Sequence, residues 1–203
     1  METAKQKDRR VRIEKAAYAV LEKKGYKGAS MLDIARQAGC SNETLYRWYG
    51  NKQALFASLI AANGAALKAQ LIQLIQEDGD TIEELRLLGP HLLEHVTNRR
   101  AVALARAAAG DVYHTGILGE AIAREGKDTV APLVERLVRV GLDRKLLHRG
   151  NAAEIAGMFL TVLIGDTQIQ RVIGAIPELT EAQKEDRTDK ACAVIQKLYG
   201  AKA

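Results

Sequence analysis

Apolar residues recur along this chain at intervals of three and four rather than two, and that spacing leaves room for little but helices. Near the amino end Ile13, Ala16, Ala17, Val20 and Leu21 stand at i, i+3, i+4, i+7 and i+8, one stripe of a helix with a Lys- and Arg-rich opposite face. Prolines are few (Pro90, Pro132, Pro177), β-branched runs are short, and no alternating strand pattern competes, so the expected fold class is all-α. With 203 residues, 47% of them apolar, the chain can bury its own core without covalent help. Its two cysteines, Cys40 and Cys192, lie far apart with no C-x-x-C spacing, which suits a reducing compartment and two buried thiols. No run of about 18 apolar residues occurs and the start is charged and amphipathic, so we expect a soluble, cytoplasmic protein with no membrane partner.

Punctuation residues divide the helical pattern. The first helix is expected to stop near Gly25, in the left-handed position that follows a helix end. Ser30 then caps a short helix with Met31, Ile34, Ala35 and Ala38 inward and Asp33 in the capping-box position; Gly39 ends it. Ser41 caps a third helix over about 42–49, Gly50 closes it, and Asn51 caps a fourth. Two short helices joined by a three-residue turn containing Gly form a helix-turn-helix. Further helices are expected over 52–76, 81–97 with an interruption at Gly89-Pro90, 99–109, 113–125, 128–141, 151–174 and 179–199. The stretch Ala152–Ile164 is apolar nearly all round and holds the small residues Ala156 and Gly157, and the last helix carries Ala191, Val194, Ile195 and Leu198 on one stripe. Together they have more apolar surface than one chain can cover, which predicts a homodimer through residues 151–199. The expected organisation is a three-helix helix-turn-helix head, residues 1–55, followed by a helical ligand-binding and dimerisation domain, residues 56–203.

Charge and aromatic content are as uneven as the helix lengths. Residues 1–55 hold 12 Lys plus Arg against 6 Asp plus Glu, whereas the rest holds 18 against 19. Six of the nine aromatic residues fall in the first 56 positions, three of them in the segment SNETLYRWYGNK. On the third helix Leu45 and Tyr49, four apart, share the inward face, while the pairs Asn42/Tyr46, Glu43/Arg47 and Thr44/Trp48 sweep outward. Hydroxyls, Arg and aromatic side chains on an exposed helix suit DNA: phosphates meet the hydroxyls and Arg, and base edges meet the first turn in the major groove. Duller readings stand beside this one. Glu43 and Arg47 would form an i,i+4 ion pair, Trp48 would close the core against the fourth helix, and Lys5, Lys7, Arg9 and Arg10 would form either a disordered tail or a flexible arm reaching a neighbouring groove. A membrane-surface or architectural module using the basic end non-specifically is separated by its indifference to DNA sequence.

The segment Ser30 to Phe56, SMLDIARQAGCSNETLYRWYGNKQALF, resembles the DNA-binding region of the TetR family of transcriptional regulators. Spacing is kept throughout, with Cys40 where Val is usual, Tyr49 where Phe is usual, and Ser30 for the commoner Thr. The resemblance implies an all-α dimer with two amino-terminal heads and a larger carboxy-terminal effector domain. It further implies phosphate contacts from Tyr46, its neighbour Thr44, Lys52 and Ser30, with Ser41 at the helix start and sequence preference carried by Asn42, Glu43, Arg47 and Trp48. The later part is similar, more weakly, to the AefR-like subgroup through Arg99-Arg100 and the Gly-Leu-x-x-x-Leu-Leu turn at Gly141.

The function expected is therefore a ligand-responsive repressor, not an enzyme. It would bind a palindromic operator in double-stranded DNA as a homodimer and be released by a small, mostly apolar effector, with no cofactor or metal. His95, Tyr113, His114, Met158 and Phe159 are the polar-tipped or bulky residues expected to meet that effector. The alternative is a zinc-dependent hydrolase, because HLLEH at His91–His95 matches the H-x-x-E-H pattern with Glu94 between two His one turn apart; no further ligand can be singled out.

Overall fold

The computed structural model describes residues 4–74 and 79–200. Eleven α-helices are found among them, no strand, and one isolated bridge between Leu147 and Gly200. They are α1 Ala4–Gly28, α2 Met31–Ala38, α3 Asn42–Tyr49, α4 Lys52–Leu74, α5 Thr81–Thr97, α6 Arg99–Asp111, α7 Ile117–Glu125, α8 Ala131–Asp143, α9 Ala152–Ile164, α10 Thr167–Ile173 and α11 Glu181–Tyr199, with a π-helical turn Gly126–Val130 before α8. The all-α expectation holds.

The chain forms two compact units, each built from two stretches. The first combines Met1–Ala62 with Ala103–Ile122 and the second combines Asn63–Val102 with Ala123–Ala203. The first unit's core joins Ile13, Ala17 and Leu21 of α1, Ile34 of α2, Leu45 of α3 and Phe56 of α4 to Leu104, Ala107 and Leu118 of α6 and α7. The second unit's core gathers Leu71 of α4, Leu85, Leu88 and Leu93 of α5, Val134 and Val138 of α8, Ile155, Phe159 and Leu163 of α9, and Ala191, Cys192 and Ile195 of α11. Segment Lys52–Gln73 of α4 is long and apolar enough by composition to cross a bilayer. Its Leu55, Phe56, Leu59, Leu67 and Leu71 are instead buried in the two cores, as in a core helix of a folded domain.

Several boundaries differ from the sequence reading, some for a local reason and some for a tertiary one. Regular helix does end at Gly25, which leaves helical geometry at positive φ (φ 66°, ψ 172°); one further short helical turn then runs to Gly28. The basic start is neither a disordered tail nor a flexible arm, since α1 begins at Ala4. Helix α5 runs unbroken through Gly89-Pro90; Pro90 forfeits one backbone bond, and close packing of Gly89 on Thr188 of α11 holds the helix together. The single helix expected over 151–174 breaks at Gly165, where Arg187 of α11 donates to the carbonyls of Leu163 and Ile164 and satisfies the end of α9. Helix α7 starts at Ile117 rather than 113, because His114, Thr115 and Gly116 all donate their backbone N–H to the carbonyl of Asp111 and form a turn. Inside the second unit Lys184 is buried, where burial pushes its ammonium pKa down, but hydrogen bonds to Glu181 and Glu94 outweigh that and hold it above its ordinary value.

Candidate nucleic-acid interface

Local capping builds the head. Ser30 Oγ accepts from the Asp33 N–H at 3.1 Å and donates to Asp33 Oδ2 at 2.7 Å, starting α2. Asp33 is held below the usual carboxylate range by its hydrogen bond to Lys24, then by Ser30. Helix α2 ends at Gly39, whose φ of 64° suits the residue without a Cβ. Ser41 Oγ accepts from the Thr44 N–H at 3.1 Å and bonds the Thr44 hydroxyl at 2.8 Å, starting α3. Cys40, in the turn between, is half-buried rather than buried.

On α3 the one fully buried side chain is Leu45, with Tyr49 half-buried against the same core. Glu43, Tyr46 and Arg47 are exposed, Tyr46 at 48%. Glu43 and Arg47 make no ion pair with each other among the described residues, so neither is spent on the other. Trp48 does not stand clear of the bundle: it packs half-buried on the head core, and the Arg9 guanidinium lies 5.7 Å from its ring centroid. Asn42 is half-buried, with its Oδ1 covered and without a hydrogen-bond partner.

Lys52, at the start of α4, donates two of its three ammonium hydrogens to the carbonyls of Tyr26 (2.8 Å) and Ala29 (3.1 Å) and lies 4.4 Å over the Tyr26 ring. It thereby ties the end of α1 to α4. Burial lowers its pKa, and the Asp111 carboxylate opposes that. Asp111 is buried at the end of α6 and takes the Thr115 hydroxyl on Oδ2 at 2.6 Å, while its Oδ1 and the Tyr26 hydroxyl are buried without a completed hydrogen bond. Burial first, and the facing Asp111 charge second, push the Tyr26 pKa up to about 12. Sequence reading missed Tyr26 and Asp111 as parts of this site, and placed Arg9 on a tail or arm rather than over Trp48, because only long-range contacts assemble them.

The residues expected at the effector are placed variously. Tyr113 (92% exposed) and His114 stand in solvent on the turn after α6. Neighbouring residues of α9 point apart, Met158 outward and Phe159 into the sealed core. His95 is half-buried on α5, and burial lowers its pKa against the opposing pull of Glu125. Glu125 lies where a Cβ on Gly64 would fall, and its Oε1 is buried without a partner. The HLLEH residues are otherwise engaged: His91 Nδ1 bonds Gln70 at 2.8 Å and Glu94 pairs with Lys184.

Comparison with known proteins accords with this geometry. Residues 13–59 match the family model described as bacterial regulatory proteins, tetR family, and residues 83–201 match the AefR-like transcriptional repressor, C-terminal domain. The HTH-type transcriptional regulator YvkB of Bacillus subtilis is 27% identical over 76% of this chain and 78% of its own length. The HTH-type transcriptional repressor KstR of Mycolicibacterium smegmatis is 31% identical over 56% of this chain and 60% of its own. The crystal structure of a TetR-family transcriptional regulator of Mesorhizobium loti superposes with a TM-score of 0.83 at 22% identity, covering 98% of this chain and 100% of that one.

Proposed function

This chain belongs to the TetR family of bacterial regulatory proteins, DNA-binding regulators of transcription and not enzymes, and we propose that it is a cytoplasmic, ligand-responsive repressor acting on a palindromic operator as a homodimer. Residues 1–55 carry DNA binding and residues 56–203 carry effector binding and dimerisation. The observation that carries this reading is α3 itself, which is anchored by Leu45 and turns Glu43, Tyr46 and Arg47 outward unpaired with each other. Tyr46, Thr44, Ser30, Ser41 and the remaining donor of Lys52 meet phosphates. Asn42, Glu43, Arg47 and Trp48 set sequence preference, and rotation of Asn42 toward a base edge relieves its covered, unpaired oxygen.

Dimerisation uses α9 to α11, where Met158, Ile169, Ile173 and Leu198 remain exposed. Two heads related by a two-fold axis then enter successive major grooves about 34–36 Å apart. A mostly apolar effector among the middle helices, with His95 as its polar contact, shifts that separation with a coupling of roughly 1–3 kcal/mol. KstR, a repressor by name, supports the sign of regulation. Selection of bound duplexes from random DNA with the full-length protein tests the reading. A two-fold symmetric consensus is expected, with Tyr46→Phe and Lys52→Ala weakening all sequences alike and Asn42→Ala changing the ranking among them. A protein that enriches no sequence, or only an asymmetric one, refutes it.

A further inference from the structure

The first turns of α1 are built against helix stability. Residues 4–12 hold Lys5, Lys7, Arg9, Arg10 and Arg12 against one acid, Asp8, and no acid lies in the first turn. Cations there face the positive end of the helix dipole, an arrangement that costs a helix unless an anion covers it. This segment also lies ahead of the family match, which begins at residue 13.

Its placement is set by one contact. The Arg9 guanidinium lies over the ring of Trp48, 5.7 Å from its centroid, and Trp48 is the last residue but one of α3, so the extension runs beside the carboxy-terminal end of the recognition helix. At helical spacing Lys5, Arg9 and Arg12 share the face that continues into Ile13 and Ala16. From Ile13 onward that face is core; ahead of it the same face turns cationic, with Lys5 and Arg12 exposed and Arg9 half-buried on the indole. A helix face that changes from apolar to basic where its own protein stops covering it fits a polyanion, and the nearest one is the duplex that α3 reads.

We propose that Lys5, Arg9 and Arg12 form a second, sequence-independent DNA contact, gripping the phosphate backbone just outside each half-site, with Arg9 fixing the extension to the recognition helix through Trp48. The inference rests on the DNA-binding reading of α3. It extends the footprint without adding base specificity, because guanidinium and ammonium groups on phosphates fix position and affinity rather than sequence.

The test uses full-length protein and two fluorescein-labelled duplexes carrying the selected consensus, one ending at its borders and one longer by about 5 base pairs, half a helical turn, on each side. On the longer duplex the slope of log K against log salt should be steeper for wild type. Lys5→Ala/Arg12→Ala should flatten it by about 0.9 for each phosphate left without its cation, with roughly tenfold or greater weakening at moderate salt. On the shorter duplex the double variant should match wild type, and Lys7→Ala, on the opposite face, should match it on both. Trp48 is the only tryptophan, so its emission reports the Arg9 stack directly and should shift in Arg9→Ala without DNA. Equal slopes for wild type and double variant on the longer duplex, or an unchanged Arg9→Ala spectrum, overturn the inference alone. Failure of wild type to bind either duplex overturns the DNA-binding reading beneath it.

Discussion

Replacing Gly89 by Ala sets helix propensity against packing, and the structure decides which wins. In the interior of α5, Ala is favoured over Gly by about 0.8–1.0 kcal/mol. A Cβ at this position, however, would lie 2.3 Å from Cγ2, 2.4 Å from Oγ1 and 2.8 Å from Cβ of Thr188 on α11. Thr188 is fully buried and its hydroxyl donates to the Lys184 carbonyl at 2.7 Å, so it has no free rotamer to retreat into. With three Thr188 atoms inside 3.0 Å, separating the two helices enough to admit the methyl costs about 2–3 kcal/mol, the upper part of the range for overpacked cores. The balance is a net loss of about 1–2 kcal/mol, or a fall in Tm of about 2–8 °C for a chain of this length. Urea and thermal unfolding followed at 222 nm measure it. Thr188→Ala removes the two nearest atoms and leaves the 2.8 Å approach, so the double variant should regain about half of the loss, a coupling readable in a double-mutant cycle. A Gly89→Ala protein as stable as wild type, or more so, would show that α5 and α11 leave room for a methyl between them and refute the packing argument.

Leu45→Ala should destabilise the head by about 2–5 kcal/mol, because this is the one fully buried side chain of α3, and urea unfolding together with loss of operator binding checks it. Tyr26 should ionise near pH 12, well above the ordinary tyrosine value, in a titration read at 295 nm. Its raised folded pKa makes the unfolded state lose the proton first, so stability is intact below pH 10 and declines as pH rises toward 12; Asp111→Asn should bring the titration back down. Burial pushes the Cys192 thiol up to about 11, so iodoacetamide near neutral pH should modify Cys40 in the folded protein and spare Cys192 until it unfolds.

What the sequence disclosed follows the range of the forces involved. Ser30, Gly39, Ser41 and Gly50 punctuate the head as expected because each cap is decided within four residues, and the helix-turn-helix spacing follows from them. Gly25 and Gly165 both take positive φ and interrupt regular helix, but the Arg187 bonds that satisfy the end of α9 come from a residue no local signal points to. Pro90 reads as an interruption until Thr188, nearly a hundred residues later, is known to lie against its neighbour. The candidate site divides in the same way. Exposure of Tyr46 and Arg47 follows from helical periodicity, whereas the Lys52 bonds to Tyr26 and Ala29, the facing Asp111 and the Arg9–Trp48 stack join residues that no motif links. Phe159 and Met158 show why pocket residues are the hardest to read: adjacent positions on one helix meet opposite surroundings.

The first unit closes its interior with Leu104, Ala107 and Leu118, supplied from beyond residue 100. The helix-turn-helix head is thus not a detachable cassette. A fragment cut after the fourth helix begins would leave bare the surfaces those three side chains cover, and grafting this head onto another regulator would mean carrying α6 and the start of α7 with it.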